Sequence, residues 1–171
     1  MTMEIGSEFT LKRVDKVLNT AKSSFLSRDY FSLLSGRTTI STIIGEIRKS
    51  NKNSMSVFLP SYSCDTMIIP FEDNDINVLF YDVSVDSSGI CIKADDIEET
   101  DAIIVMNYFG FQSPAIEKFI DEMAAREITV IKDTTQSLFS EESYDNRADY
   151  IFASLRKWMG LPDGALLAKR D

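Results

Sequence analysis

The chain has 171 residues, 44% of them hydrophobic, which suffices for one domain with a real core but not for two large ones. A net charge of −9 with scattered Lys and Arg argues against nucleic-acid binding, which needs a basic face to neutralise phosphates. With no histidine and only two cysteines, the chain cannot assemble a Ser-His-Asp or Cys-His nucleophile, and its composition speaks against a metal site or a disulfide framework.

Met1 to Thr10 lacks the positive start and apolar centre of a secretion signal. Residues 1–34, with Phe9, Leu11, Val14 and Leu18, are expected to form a peripheral helical segment. Over residues 35–171 the apolar periodicity alternates between two types. Ile40, Ile43, Ile44 and Ile47 mark a helix from about Arg37 to Ser50. Val57 to Leu59, closed by Pro60, reads as a strand, Cys64 to Phe71 as a short helix, and Val78 to Val83 as a second strand. Asp101 to Phe109 holds the near-continuous apolar run of a strand buried on both faces. A helix follows, with Ser113 as its cap, Pro114 in its first turn, and Ile116, Phe119, Ile120 and Met123 as its buried face. Ile128 to Lys132, Tyr150 to Ser154 and Gly164 to Lys169 read as further strands, with Glu141 to Arg147 a polar loop. No stretch approaches the run of ~20 apolar residues that spans a bilayer, so a cytoplasmic domain without a membrane partner is expected. Strands alternating with helices imply crossover connections. The expected fold class is therefore α/β, a three-layer αβα sandwich around a mostly parallel sheet.

In an open parallel sheet, ligands bind at the carboxyl ends of the strands. Four polar segments fall there: Ser35-Gly36-Arg37-Thr38 before the first strong helix, Asn107, Asp133-Thr134-Thr135-Gln136, and Ser154-Leu155-Arg156-Lys157. Each has an ordinary structural reading. Ser35-Gly36 can be a turn, an Asp after a buried strand often caps the next segment, and a Lys beside Trp158 can rest its stem on the ring. Together they match one cofactor. A helix start with the Ser154 hydroxyl suits a phosphate, a carboxylate suits a pyridine nitrogen, and a lysine amine suits an aldehyde.

The ordered set resembles the large domain of fold-type I pyridoxal-phosphate enzymes, in particular the DegT-type sugar aminotransferases, from about Leu34 to Asp171. Ser35-Gly36-Arg37-Thr38-Thr39-Ile40 is similar to the phosphate-loop segment, and Leu59-Pro60-Ser61-Tyr62-Ser63 to the Pro-Ser strand end. Asn107-Tyr108-Phe109-Gly110 is similar to the aromatic-Gly turn. Ile131-Lys132-Asp133-Thr134-Thr135-Gln136 resembles the Asp-x-x-Gln motif, Phe152-Ala153-Ser154-Leu155-Arg156-Lys157 the lysine segment, and Pro162-Asp163-Gly164-Ala165 the glycine-bearing turn after it. The resemblance implies pyridoxal 5′-phosphate as cofactor and a homodimer acting on small molecules, an amino donor and a nucleotide-linked keto sugar. It makes Lys157 the Schiff-base and proton-transfer lysine, and Asp133 the partner of the pyridine nitrogen. Gln136 would contact the ring or its 3′ oxygen, and Ser154 with the backbone of Arg37 and Thr38 would hold the phosphate.

The chain also departs from the pattern. Ser154 stands three residues before Lys157, closer than DegT-type enzymes place it and more like the branch that includes cysteine desulfurases. Cys64 occupies the place of an aromatic residue that stacks on the cofactor, so Tyr62 is a candidate for that role. Arg37 replaces a small residue in the phosphate loop. Family members are much longer, so a truncated large domain without the C-terminal small domain is expected, with apolar surface left exposed. A catalytically incomplete remnant or partner subunit, serving as a binding module, is the alternative expectation.

Overall fold

The computed structural model describes residues 29–49, 55–87, 89–94, 97, 100–111, 113–140 and 143–170. The strands are β1 (Phe31–Leu33), β2 (Ser56–Pro60), β3 (Asn77–Asp86), β4 (Gly89–Lys93), β5 (Ala102–Met106), β6 (Thr129–Asp133), β7 (Tyr150–Ser154) and β8 (Ala165–Lys169). The helices are α1 (Gly36–Arg48), α2 (Asp65–Glu72) and α3 (Pro114–Ala125). The strands form one sheet in the order β1-β8-β7-β6-β5-β2-β3-β4.

Parallel pairing runs through its centre, β7-β6-β5-β2-β3, and the three outer pairings are antiparallel. Burial explains that arrangement. All five residues of β5 are buried, as are four of five in β2, β6 and β7, so these strands are covered on both faces. α1 buries Ile40, Ile43, Ile44 and Ile47 and packs with α2 as one helical layer, α1 lying against β7 and β8. α3 buries Ile116, Phe119, Ile120 and Met123 against β4, β5 and β6 as the other layer. The result is the three-layer α/β sandwich read from the sequence, and both helix faces are the ones its periodicity picks out.

Several details differ. β8 is antiparallel to β7 because only residues 155–164 connect them, too few for a crossover helix that would return the chain in the same direction. β1 and β4 are edge strands of three and five residues, too short for the alternation of Phe31 with Leu33 or Ile90 with Ile92 to stand out. β1 also falls where the helical segment 1–34 is expected to end. Phe9, Leu11, Val14 and Leu18 lie outside the described residues. Ser113 occupies the cap position of α3, but its hydroxyl donates to the Ile90 carbonyl of β4 rather than capping the helix.

Candidate cofactor site

Register sets the site. Met106 of β5 lies opposite Asp133 of β6, and Asp133 lies opposite Phe152 of β7, so Asn107, Asp133 and Ser154 end neighbouring strands along one edge. α1 starts on the same edge, where a Cβ built on Gly36 would stand 3.7 Å from Ser154 Cβ. The Gly164 amide, in the turn before β8, donates to the Leu34 carbonyl at 2.6 Å and fixes the approach to α1. The sheet thus places the Ser35–Thr38 segment, Asp133 and Ser154 along one edge.

Asp133 is 5% exposed. Its Oδ1 accepts the Thr135 backbone N–H at 2.7 Å, and among the described residues no cation pairs with it. Burial pushes its carboxyl up to about 6, against the smaller lowering effect of hydrogen bonds from Thr135. The neighbouring Lys132 side chain is committed elsewhere, to Asp145 at 3.2 Å and Glu117 at 3.9 Å. Successive residues of a strand face opposite sides of the sheet, so this cation does not serve Asp133.

Gln136 is half-buried. Its side-chain oxygen accepts the Phe109 N–H, and the turn that carries Phe109 is held close by Gly110, where a Cβ would lie 2.8 Å from the Gln136 carbonyl. Tyr108, in the same turn, donates its hydroxyl to the Tyr62 carbonyl at 3.0 Å, and the two rings sit 5.8 Å apart. Burial, and then the charges of Asp133 and Tyr62, raise the Tyr108 phenol well above its ordinary range. Tyr62 is exposed beside this site, and so is Cys64.

The start of α1 is partly satisfied by its own residues. The Ser35 hydroxyl caps the helix by accepting the Thr38 N–H at 3.2 Å. This modifies the expected role of Thr38, whose amide already has a partner, and leaves Gly36 and Arg37 with the first-turn amides that have no partner within the helix. Arg37 and Lys157 are exposed, Lys157 ending a short 3-10 turn after β7. Among the described residues, no hydrogen bond or ion pair joins either side chain to Asp133 or Ser154.

The residues present fit a ligand with a cationic ring nitrogen and an anionic group. The unmatched Asp133 carboxyl would take the first, and the start of α1 beside Ser154 the second. Two more polar atoms near these strand ends, Ser63 Oγ and Asn107 Oδ1, are buried without a hydrogen-bond partner among the described residues. Thr135 escapes a motif reading, although two threonines directly after a buried strand are a signal for side-chain bonding to the backbone. Among the described residues no group of acids and thiols is arranged to hold a metal, and no helix is long and apolar enough to cross a membrane.

No protein-family model and no curated protein matches the sequence. Solved structures do match the fold. NtdA of Bacillus subtilis, solved with bound cofactor PMP, is 18% identical with a TM-score of 0.68, over 84% of this chain and 34% of its own. The sugar aminotransferase CalS13 of Micromonospora echinospora is 16% identical with a TM-score of 0.64, over 83% and 42%. A sphingosine-1-phosphate lyase of Burkholderia pseudomallei is 15% identical with a TM-score of 0.67, over 86% and 41%. The chain therefore spans between about a third and two fifths of the length of these structures, and over that part it has the fold they share.

Proposed function

We propose that this chain is the pyridoxal-phosphate-binding part of an aminotransferase, with a nucleotide-linked keto sugar as acceptor and an amino acid as amine donor. The observation that carries the reading is Asp133: a buried carboxyl, fixed by the Thr135 amide, at the end of a central parallel strand, with no cation of its own among the described residues. A protonated ring nitrogen would supply such a group with the cationic partner that the described residues do not. The shared fold supports the reading, and it includes structures described as bound to PMP or PLP. The sugar substrate rests on the DegT-type motifs and on the likeness to a sugar aminotransferase. A homodimer in the cytoplasm belongs to the same reading.

When bound, the cofactor supplies an aldehyde that takes up amines and a ring that withdraws electrons from them. Asp133 would keep the ring nitrogen protonated. The Ser154 hydroxyl and the amides at the start of α1 would hold the phosphate, with Arg37 adding positive charge. Gln136, its oxygen engaged by Phe109, would offer its amide N–H groups to the ring oxygen. The Lys157 amine would bond the cofactor covalently and then carry a proton between substrate carbon and cofactor carbon.

The test is an absorbance spectrum of the purified chain with added pyridoxal phosphate, followed by borohydride reduction and peptide mapping. A visible band and a reduced adduct on Lys157, absent from Lys157→Ala, are expected. A folded chain with no adduct on Lys157 would overturn the assignment and leave the binding-module alternative.

A further inference from the structure

Thr135 is 8% exposed and meets three separate parts of the site. Its N–H donates to Asp133 Oδ1 at 2.7 Å. Its hydroxyl accepts the Ser154 N–H at 3.0 Å and also lowers the Asp133 carboxyl, against the raising effect of burial. Its carbonyl accepts the indole N–H of Trp158, the residue after Lys157. Thr134 adds two bonds to the Phe152 carbonyl, from its N–H at 2.8 Å and its hydroxyl at 3.1 Å. A threonine hydroxyl has one proton to give and lone pairs to receive, so Ser154 N–H, Thr135 Oγ and the Asp133 carboxylate can form a continuous donor-to-acceptor chain. A valine here would fill the same volume, leave the part-buried Ser154 amide without its acceptor and remove the hydroxyl that lowers the Asp133 carboxyl.

We propose that Thr135 is a positioning residue that ties the Asp133 carboxyl to the strand end bearing Ser154 and the Lys157 segment, so that the contacts to ring nitrogen, phosphate and aldehyde are held as one unit. This deepens the cofactor reading and rests on it for its functional meaning. The tie itself belongs to the unliganded chain and can be measured there. The titratable group that feels the Asp133 charge is Tyr108 of the turn after β5, while Lys132, Glu117, Asp145 and Arg147 form their own cluster.

The experiment compares wild type, Thr135→Ser and Thr135→Val. One measurement is the carbon-13 titration of the Asp133 carboxyl in the unliganded chain, assigned with Asp133→Asn. The other is pyridoxal phosphate affinity by absorbance and by fluorescence of Trp158, the single tryptophan. In Thr135→Val the Asp133 carboxyl should titrate at higher pH, and cofactor affinity should fall about tenfold or more, the scale of a lost hydrogen bond to a charged group. Thr135→Ser should restore both to within about twofold, since it keeps the hydroxyl. A valine variant that titrates and binds like wild type overturns the proposal. If wild type binds no cofactor, the cofactor reading fails, and an Asp133 titration unmoved by valine would then also sink the tie. Should Thr135→Val not fold, Thr135→Cys, with its weaker hydrogen bonding, takes its place: a smaller shift in the same direction supports the tie, and no shift overturns it.

Discussion

A carboxyl group enclosed as Asp133 is binds its proton more tightly in the folded chain than in the unfolded one. Its value rises from 3.8 to about 6, mainly through burial. Between those two values the folded state holds more protons, so stability falls as pH rises through the window, by about 3 kcal/mol in all at 1.36 kcal/mol per unit. Asp133→Asn keeps an oxygen for the Thr135 amide and removes the charge. The unliganded variant should therefore be more stable than wild type by up to about 3 kcal/mol above pH 6, with the gap closing near pH 4. Urea unfolding across that range measures it, and a gap independent of pH would show that the charge is not the cause. Binding of pyridoxal phosphate should be weakened in the same variant, a stability gain set against function. Asp133 was legible in the sequence because a carboxylate directly after a buried apolar strand stands out. That no cation among the described residues pairs with it was not legible, because Lys132 is adjacent in sequence and only the strand's alternation sends it to Asp145 and Glu117. Nor were the bonds of Thr135, whose partners Ser154 and Trp158 lie 19 and 23 residues away.

The elements that bear the site are held by local devices whose costs separate cleanly. Ser35 caps α1 through its hydroxyl, and Ser35→Ala should cost about 1 kcal/mol, a fall in Tm of about 2–4 °C for a chain of this size. The turn after β5 relies instead on Gly110, at φ 80°, with the Gln136 carbonyl 2.8 Å from where a Cβ would be. Gly110→Ala should cost about 1–3 kcal/mol from backbone strain alone, with the steric clash added. The same exchange at Gly45, exposed within α1 with nothing inside 4 Å of its Cβ, should stabilise by about 1 kcal/mol. Thermal unfolding of the two glycine variants should thus move in opposite directions, and a loss at both would refute the contrast. α1 and α3 were legible because four buried residues recur at helical spacing in each. β1 and β4 were not, since an edge strand is fixed by what it pairs with more than by its own pattern.

For the molecule as a whole, two carboxyls bend the pH dependence of stability in opposite senses. Asp145 lies in the loop read from the sequence as merely polar, yet it is buried and bonds both Lys132 and Arg147, with Arg147 reaching Glu117 and Asp121 on α3. That cluster joins loop, β6 and α3 through residues far apart in the chain, and so no local pattern announces it. Burial alone would raise the Asp145 carboxyl, but hydrogen bonds from Arg147 and the charges of Lys132 and Arg147 outweigh it and hold the group at about 2. Its folded value is depressed, so its contribution is present above 3.8 and is lost as pH falls through about 2. Asp133 acts the other way between 3.8 and about 6. A net charge of −9 adds self-repulsion on the neutral side and so reinforces Asp133. The unliganded chain should therefore be most stable near pH 4, measured as unfolding free energy from pH 2 to 8. Asp145→Asn should flatten the acid limb and Asp133→Asn the neutral one. Added pyridoxal phosphate should lift the neutral limb in wild type, because a protonated ring nitrogen favours the ionised Asp133 that burial disfavours. It should do so far less in Asp133→Asn. A neutral limb that rises equally in both would mean that the cofactor stabilises the chain without engaging Asp133, and the assignment of that carboxyl would have to be given up.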